Sequence, residues 1–286
     1  SIFVEGAEDW TKDLFGKIHE LRVEDQDPPS GANTSVKWYV VERGIAKKAW
    51  IQCCQKEQAA WPYGDTQPDA SEVLPKIVTF FSYKGGMGRT TALTAVALEL
   101  LRRKKNVLML DTDLEAPGLS TFFFPADDAG YIRKGTVDYL QEKSMNPNTP
   151  MNMSDYIIPL TSPVYMENGM GNLYLVSGGK LNDEFLLKLA RIDSQELVGE
   201  NLKKNLVQLL KDCCEALKGS GGIDYILIDS RAGFHDMAGV VTAQIPHGIV
   251  LFGKDSFQSW FGIQQAVRTI ATSQADKPFA IMVDSA

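Results

Sequence analysis

The chain has 286 residues, 44% of them hydrophobic and 23% charged, with a net charge of −7. That length holds one large α/β domain plus an appendage, and no apolar run reaches the roughly 18 residues a bilayer-spanning helix needs. The acidic balance gives no support to nucleic-acid or membrane-surface binding. Residues 1–75 hold 8 Lys/Arg against 13 Asp/Glu, and the remainder 21 against 23. A nucleic-acid-binding domain shows the opposite sign on some face.

The opening segment SIFVEGAEDW has neither a basic n-region nor an apolar h-region, so a cytoplasmic chain is expected. Residues 1–75 read as a small α-rich appendage of unassigned role. It has helices at about 8–22 and 44–59, a strand at 36–41, and a Pro- and Gly-containing linker from 61 to 75. Trp10, Trp38, Trp50 and Trp61 concentrate there and suit a small core or docking surface. The four cysteines form two vicinal pairs, Cys53-Cys54 and Cys213-Cys214. Neither pair has metal-ligand spacing, so reduced thiols are expected.

From Lys76 the pattern changes. Apolar runs at 77–81, 107–110, 173–176, 225–228, 249–252 and 279–283 alternate with helical segments. Near-continuous apolar strands separated by helices predict a mostly parallel sheet with helices on both faces over 76–286. Leu93, Val96, Ala97, Leu100 and Leu101 share one face of a helix after the first strand. The basic run Arg102, Arg103, Lys104 and Lys105 falls at that helix's C-terminal end, where it suits the dipole. A Leu-rich stretch from Leu186 to Leu210 predicts a helical pair whose leucines are core.

The first strand runs into Ser82-Tyr83-Lys84-Gly85-Gly86-Met87-Gly88-Arg89-Thr90-Thr91, and the helix follows at once. Strand, glycine-rich turn and helix form the context of a phosphate-binding loop. Its backbone N–H groups and helix N-terminus attract an anion. The Thr90 hydroxyl is placed to ligate Mg²⁺. Against the pattern GxxxxGK[ST], Tyr83 replaces the first glycine and Arg89 replaces the lysine. Two acidic strand ends follow. The second strand ends in Asp111-Thr112-Asp113-Leu114-Glu115, and the fourth predicted run in Asp229-Ser230-Arg231-Ala232-Gly233.

Taken together, KGGMGRTT and the two acidic strand ends resemble the deviant Walker A P-loop ATPases of the ParA/MinD type, and most the subgroup with an arginine in the loop. The resemblance covers about 76–286 and implies a P-loop NTPase fold, ATP and Mg²⁺ as ligands, and ATP hydrolysis coupled to homodimerisation. Residue by residue, it implies that Lys84 reaches across a dimer to the partner's nucleotide. Gly85 to Thr91 would cradle the phosphates, and Asp113 would orient the attacking water. Asp111 would lie near the metal and Asp229 would hold a metal-bound water, as in a Walker B strand. Gly233 would offer its N–H to the γ-phosphate. Arg89 could clamp phosphate with its planar fork or mark a loop that hydrolyses slowly or not at all. Arg231, where the family has proline, could neutralise developing charge or merely pair with Asp111 or Asp113. The resemblance further implies a protein partner, a non-hydrolysing regulatory or phage-defence module as the alternative function, and final strands missing from this stretch.

Overall fold

The computed structural model describes residues 75–124, 129–194, 199–254, 256–273 and 279–284. The helices, strand, tryptophans and Cys53-Cys54 expected before residue 75 lie outside the described residues. The core is a seven-stranded sheet in the order β3-β4-β2-β5-β1-β6-β7. Its strands are β1 (Lys76–Ser82), β2 (Val107–Asp111), β3 (Ile158–Pro159), β4 (Leu173–Val176), β5 (Tyr225–Asp229), β6 (Gly248–Gly253) and β7 (Phe279–Asp284). All neighbours run parallel except β3, which pairs antiparallel with β4. Six of the seven strands coincide with the predicted apolar runs. The two-residue β3 is too short to leave a periodic signal.

The helices are α1 (Arg89–Arg102), α2 (Thr136–Met145), α3 (Asp183–Ser194), α4 (Gly199–Leu217), α5 (Asp236–Ala243) and α6 (Phe257–Ser273). Alternating side chains of each strand enter opposite layers. Val78, Phe80, Val107, Met109 and Leu227 pack on Leu93, Ala97, Leu100 and Leu101 of α1. Ile77, Leu108, Leu110, Ile226 and Ile228 face the other way, toward Val137 and Leu140 of α2 and Leu202, Leu206, Leu209 and Leu210 of α4. Each fully buried Leu or Ile contributes about 1.5–3 kcal/mol relative to an exposed one, so both faces are held. A third cluster joins Phe81, Ile249 and Leu251 to Ala238 of α5 and Ile263 of α6.

Two expectations need correction. The leucines of 186–210 are not all core, because Leu186 and Leu187 are 65% and 62% exposed on α3. They sit on the outer face of a helix whose inward residue is Phe185, at 3% exposure. Helix α2 was missed, since its polar sequence TVDYLQEKSM hides the apolar face. The basic run after α1 behaves as expected: Arg103 and Arg102 pair with Glu99 at 3.0 and 3.6 Å within the helix end.

Candidate phosphate and metal site

Strand order brings the site together. β5 lies between β1 and β2, with Phe80 opposite Asp229 and Asp111 opposite Asp229 in register. The phosphate loop and both acidic strand ends therefore meet at one edge of the sheet, outside the C-terminal ends of parallel strands, where open α/β sheets bind ligands.

The loop from Lys84 to Gly88 is a cradle. Gly86 and Gly88 have φ of 74° and 76°, a left-handed conformation that a side chain strains. A Cβ at Gly85, Gly86 or Gly88 would meet nothing within 4 Å, so the loop's mouth is open. Gly88 caps α1 without a side-chain hydrogen bond. The first turn of that helix thus points its backbone donors toward the cradle. Lys84 and Thr91 are exposed, Met87 is half-buried, and Thr90 sits at the mouth.

Thr90 Oγ1 donates to Asp229 Oδ2 at 2.6 Å. Asp229 is 1% exposed and its Oδ1 has no hydrogen-bond partner. An orphaned buried carboxylate oxygen beside a threonine hydroxyl is the donor set of a hard cation such as Mg²⁺. The residues present therefore fit the metal that the sequence implied. Burial raises the Asp229 carboxyl to about 6, with the Thr90 hydroxyl and Arg89 pulling in the opposite direction.

Asp111 is fully buried and turned onto the backbone. Its Oδ1 accepts the Asp113 N–H at 3.0 Å and its Oδ2 the Leu119 N–H at 3.1 Å. It ties the acidic loop into a turn. Burial, followed by the charge of Asp229, pushes its carboxyl well above the usual range. Thr112 clamps the same loop to β5, its Oγ1 donating to the Asp229 carbonyl at 2.8 Å.

Asp113 pairs with Arg89. Arg89 Nη2 lies 3.1 Å from Asp113 Oδ2, with side chains 9% and 13% exposed. Arg89 Nη1 is buried without a partner. Burial raises the Asp113 carboxyl, and Arg89 lowers it only in part. Of the two readings of Arg231, the pairing with Asp111 or Asp113 is corrected. Arg231 Nη2 pairs instead with Glu115 Oε2, because Arg89 already occupies Asp113 and the Asp111 oxygens are held by backbone. Glu115 was missed, although an acid two residues beyond Asp113 was a legible signal. Gly233, at φ 85°, donates its N–H to the Ser82 carbonyl at 3.1 Å, so reaching a phosphate would require that bond to open.

Tyr83 has a role that its sequence position did not disclose. Its ring lies 5.3 Å from Phe234, beside Gly233, and a Cβ at Gly262 of α6 would fall 1.8 Å from Tyr83 Cγ. The residue replacing the first loop glycine thus wedges the phosphate loop against the second acidic loop and α6.

Comparison with solved structures places this architecture. The plasmid partition protein BB_S35 of Borrelia burgdorferi, solved with AMPPNP, superposes with a TM-score of 0.51 at 18% identity, over 73% of this chain and 75% of that one. The fold is that of the ParA/MinD-type P-loop ATPases. The septum site-determining protein MinD of Pyrococcus horikoshii, complexed with Mg-ADP, matches at a TM-score of 0.42 and 22% identity, over 65% of this chain and 60% of that one. Among curated proteins, the cytosolic Fe-S cluster assembly factor CFD1 of Candida albicans is 27% identical over 169 residues. Its counterpart in Debaryomyces hansenii is 28% identical over 180 residues. Both alignments cover 59% of this chain, and the chain spans about half the length of these curated relatives, 50% in each case. No family model matches the chain. Among the described residues no helix is long and apolar enough to cross a membrane.

Proposed function

We propose that this chain binds ATP with Mg²⁺ and hydrolyses it slowly, as a nucleotide-dependent dimerisation switch. The observation that carries this reading is the Thr90–Asp229 contact of 2.6 Å, with the orphaned Asp229 Oδ1, beneath an open glycine cradle. Thr90 and Asp229 would hold the metal, which when bound neutralises phosphate charge. Gly85, Gly86, Met87, Gly88, Thr90 and Thr91 would bind the phosphates through backbone and helix N-terminus. Asp113 would accept a hydrogen bond from water and orient it. Lys84, exposed at the mouth, would serve a facing subunit, and the dimer would be read by a protein partner. The Mg-ADP and AMPPNP named for the structural relatives agree with this ligand choice. The Fe–S cluster assembly named for the curated relatives is said of those proteins alone; among the described residues the cysteines are Cys213 and Cys214 on α4, with Cys213 fully buried in the core.

A second reading has its own observation. The Arg89–Asp113 ion pair occupies the residue assigned to water, which favours a sensor that binds ATP without turnover. Measuring ATP binding and phosphate release with and without Mg²⁺ tests both. Saturable, Mg²⁺-dependent binding with phosphate release supports the ATPase, and binding without release supports the sensor. No binding at millimolar ATP would overturn both readings.

A further inference from the structure

We propose that Arg89 and Arg231 form a two-point latch on the acidic loop 113–115, and that an incoming nucleoside triphosphate opens it by taking Arg89 from Asp113. The proposal rests on the nucleotide-site reading above and adds its regulation. Both arginines stand at positions where the chain departs from the loops it resembles, and each holds an acid of the same short segment. Arg89 is tied to Asp113 at 3.1 Å, and Arg231 to Glu115. The first tie joins the phosphate loop to the acidic loop. The second joins the acidic loop to the segment after β5.

The two ties differ in environment, and that difference sets the order of release. The Arg89–Asp113 side chains are 9% and 13% exposed, whereas those of Arg231 and Glu115 are 26% and 47% exposed. The outer pair is screened by water and contributes little by itself. The inner pair is strong but incomplete, because Arg89 Nη1 is buried with no acceptor. Arg89 also opens α1, directly after the cradle glycine Gly88. A phosphate seated in the cradle brings several anionic oxygens to a guanidinium that has one nitrogen unsatisfied. It offers bidentate geometry where Asp113 engages one nitrogen. The guanidinium turns to phosphate and Asp113 is released toward the mouth. Until then Asp113 is neutralised and cannot orient water, so an empty chain is held inactive. The exposed tie of Arg231 to Glu115 holds the acidic loop in the same latched position and loosens as Asp113 moves, so it adds a smaller restraint.

A latch of this kind lowers apparent ATP affinity by the fraction of molecules in which it is open. Calorimetry on the full chain in EDTA, with ATP and AMP as ligands, tests it. Asp113→Asn should bind ATP about 5- to 20-fold more tightly than wild type, and Glu115→Gln about 3-fold more tightly. AMP, whose single phosphate does not fill the cradle, should show no gain. In an Arg89→Met background the gain from Asp113→Asn should vanish, which separates the latch from simple removal of a negative charge. Unchanged or weaker ATP binding in Asp113→Asn, an equal gain for AMP, or a gain that persists without Arg89 would each overturn the latch. If Asp113→Asn does not fold, the half-exposed Glu115→Gln carries the test, and wild-type affinity there overturns it. Should wild type bind ATP while neither variant binds more tightly, only the latch fails. Should no form bind ATP, the nucleotide-site reading fails as well.

Discussion

The Thr90 hydroxyl donates to Asp229 Oδ2 at 2.6 Å across 139 residues of chain, and this contact joins the phosphate loop to the end of β5. Asp229 thereby holds one satisfied and one orphaned oxygen in a site that also contains Asp111 and Asp113, all three raised above the usual carboxylate range. Burial is the leading cause for all three, and the Arg89 guanidinium offsets it only in part at Asp113 and Asp229. The predictions below follow from that concentration of charge and from the loops around it.

Asp229→Asn should remove Mg²⁺ dependence from ATP binding while stabilising the nucleotide-free chain. The Asp229 carboxyl is raised from 3.8 to about 6. A raised carboxyl contributes its stability below the unfolded value and loses it as pH climbs through the folded one. Wild-type stability should therefore fall between pH 4 and about 6, and the Asn variant should show a shallower fall, because Asp111 and Asp113 remain. At pH 8 the variant should be more stable by on the order of 2 kcal/mol, with the Thr90 bond retained on the amide oxygen. Thermal melts at pH 4 and pH 8, paired with Mg²⁺ titrations, check both halves. An equal pH slope in the two proteins would refute the assignment.

Arg89→Ala should destabilise far more than Arg89→Lys. Removing one partner of a buried pair leaves Asp113 charged and uncompensated, at a cost of about 3–5 kcal/mol. Lysine keeps the charge and should retain ATP binding, whereas alanine should lose affinity sharply. Urea unfolding and ATP titration on both variants provide the comparison. Wild-type ATP affinity in Arg89→Ala would mean that the loop does not grip phosphate through this residue.

Lys84→Ala should leave stability within about 0.5 kcal/mol of wild type, because the side chain is exposed and no ion pair holds it among the described residues. Nucleotide binding by the monomer should stay nearly intact. ATP-induced dimerisation should disappear, as measured by light scattering with Mg²⁺ and ATP in a hydrolysis-blocked background. A variant that dimerises normally removes Lys84 from the interface.

Gly262→Ala should destabilise by about 1–3 kcal/mol, since its Cβ would fall 1.8 Å from Tyr83 Cγ and force the aromatic ring aside. Tyr83→Gly should restore much of that loss in the double variant, because the clash has no second partner at that distance. Denaturation midpoints for the two single variants and the double variant form the cycle. Additive losses would show that the two residues do not oppose each other.

The linear sequence by itself determined the strand–loop–helix units. Six apolar runs became six strands, and the glycine turn after Ser82 became the cradle, because local periodicity and turn chemistry act over a few residues. The same locality placed Asp111, Asp113 and Asp229 at strand ends. What the sequence could not assign was which charged groups meet. Only the tertiary structure placed β5 between β1 and β2, and that order sets Asp229 beside Thr90, Arg89 on Asp113 and Arg231 on Glu115. Asp111, alike in the sequence, became a buried anchor for the turn to Leu119. Tyr83 reads as a damaged loop position until α6 brings Gly262 against its ring. Side-chain partnership depends on which strands become neighbours, and strand order is decided by the packing of both helical layers over more than a hundred residues, so no local window contains it.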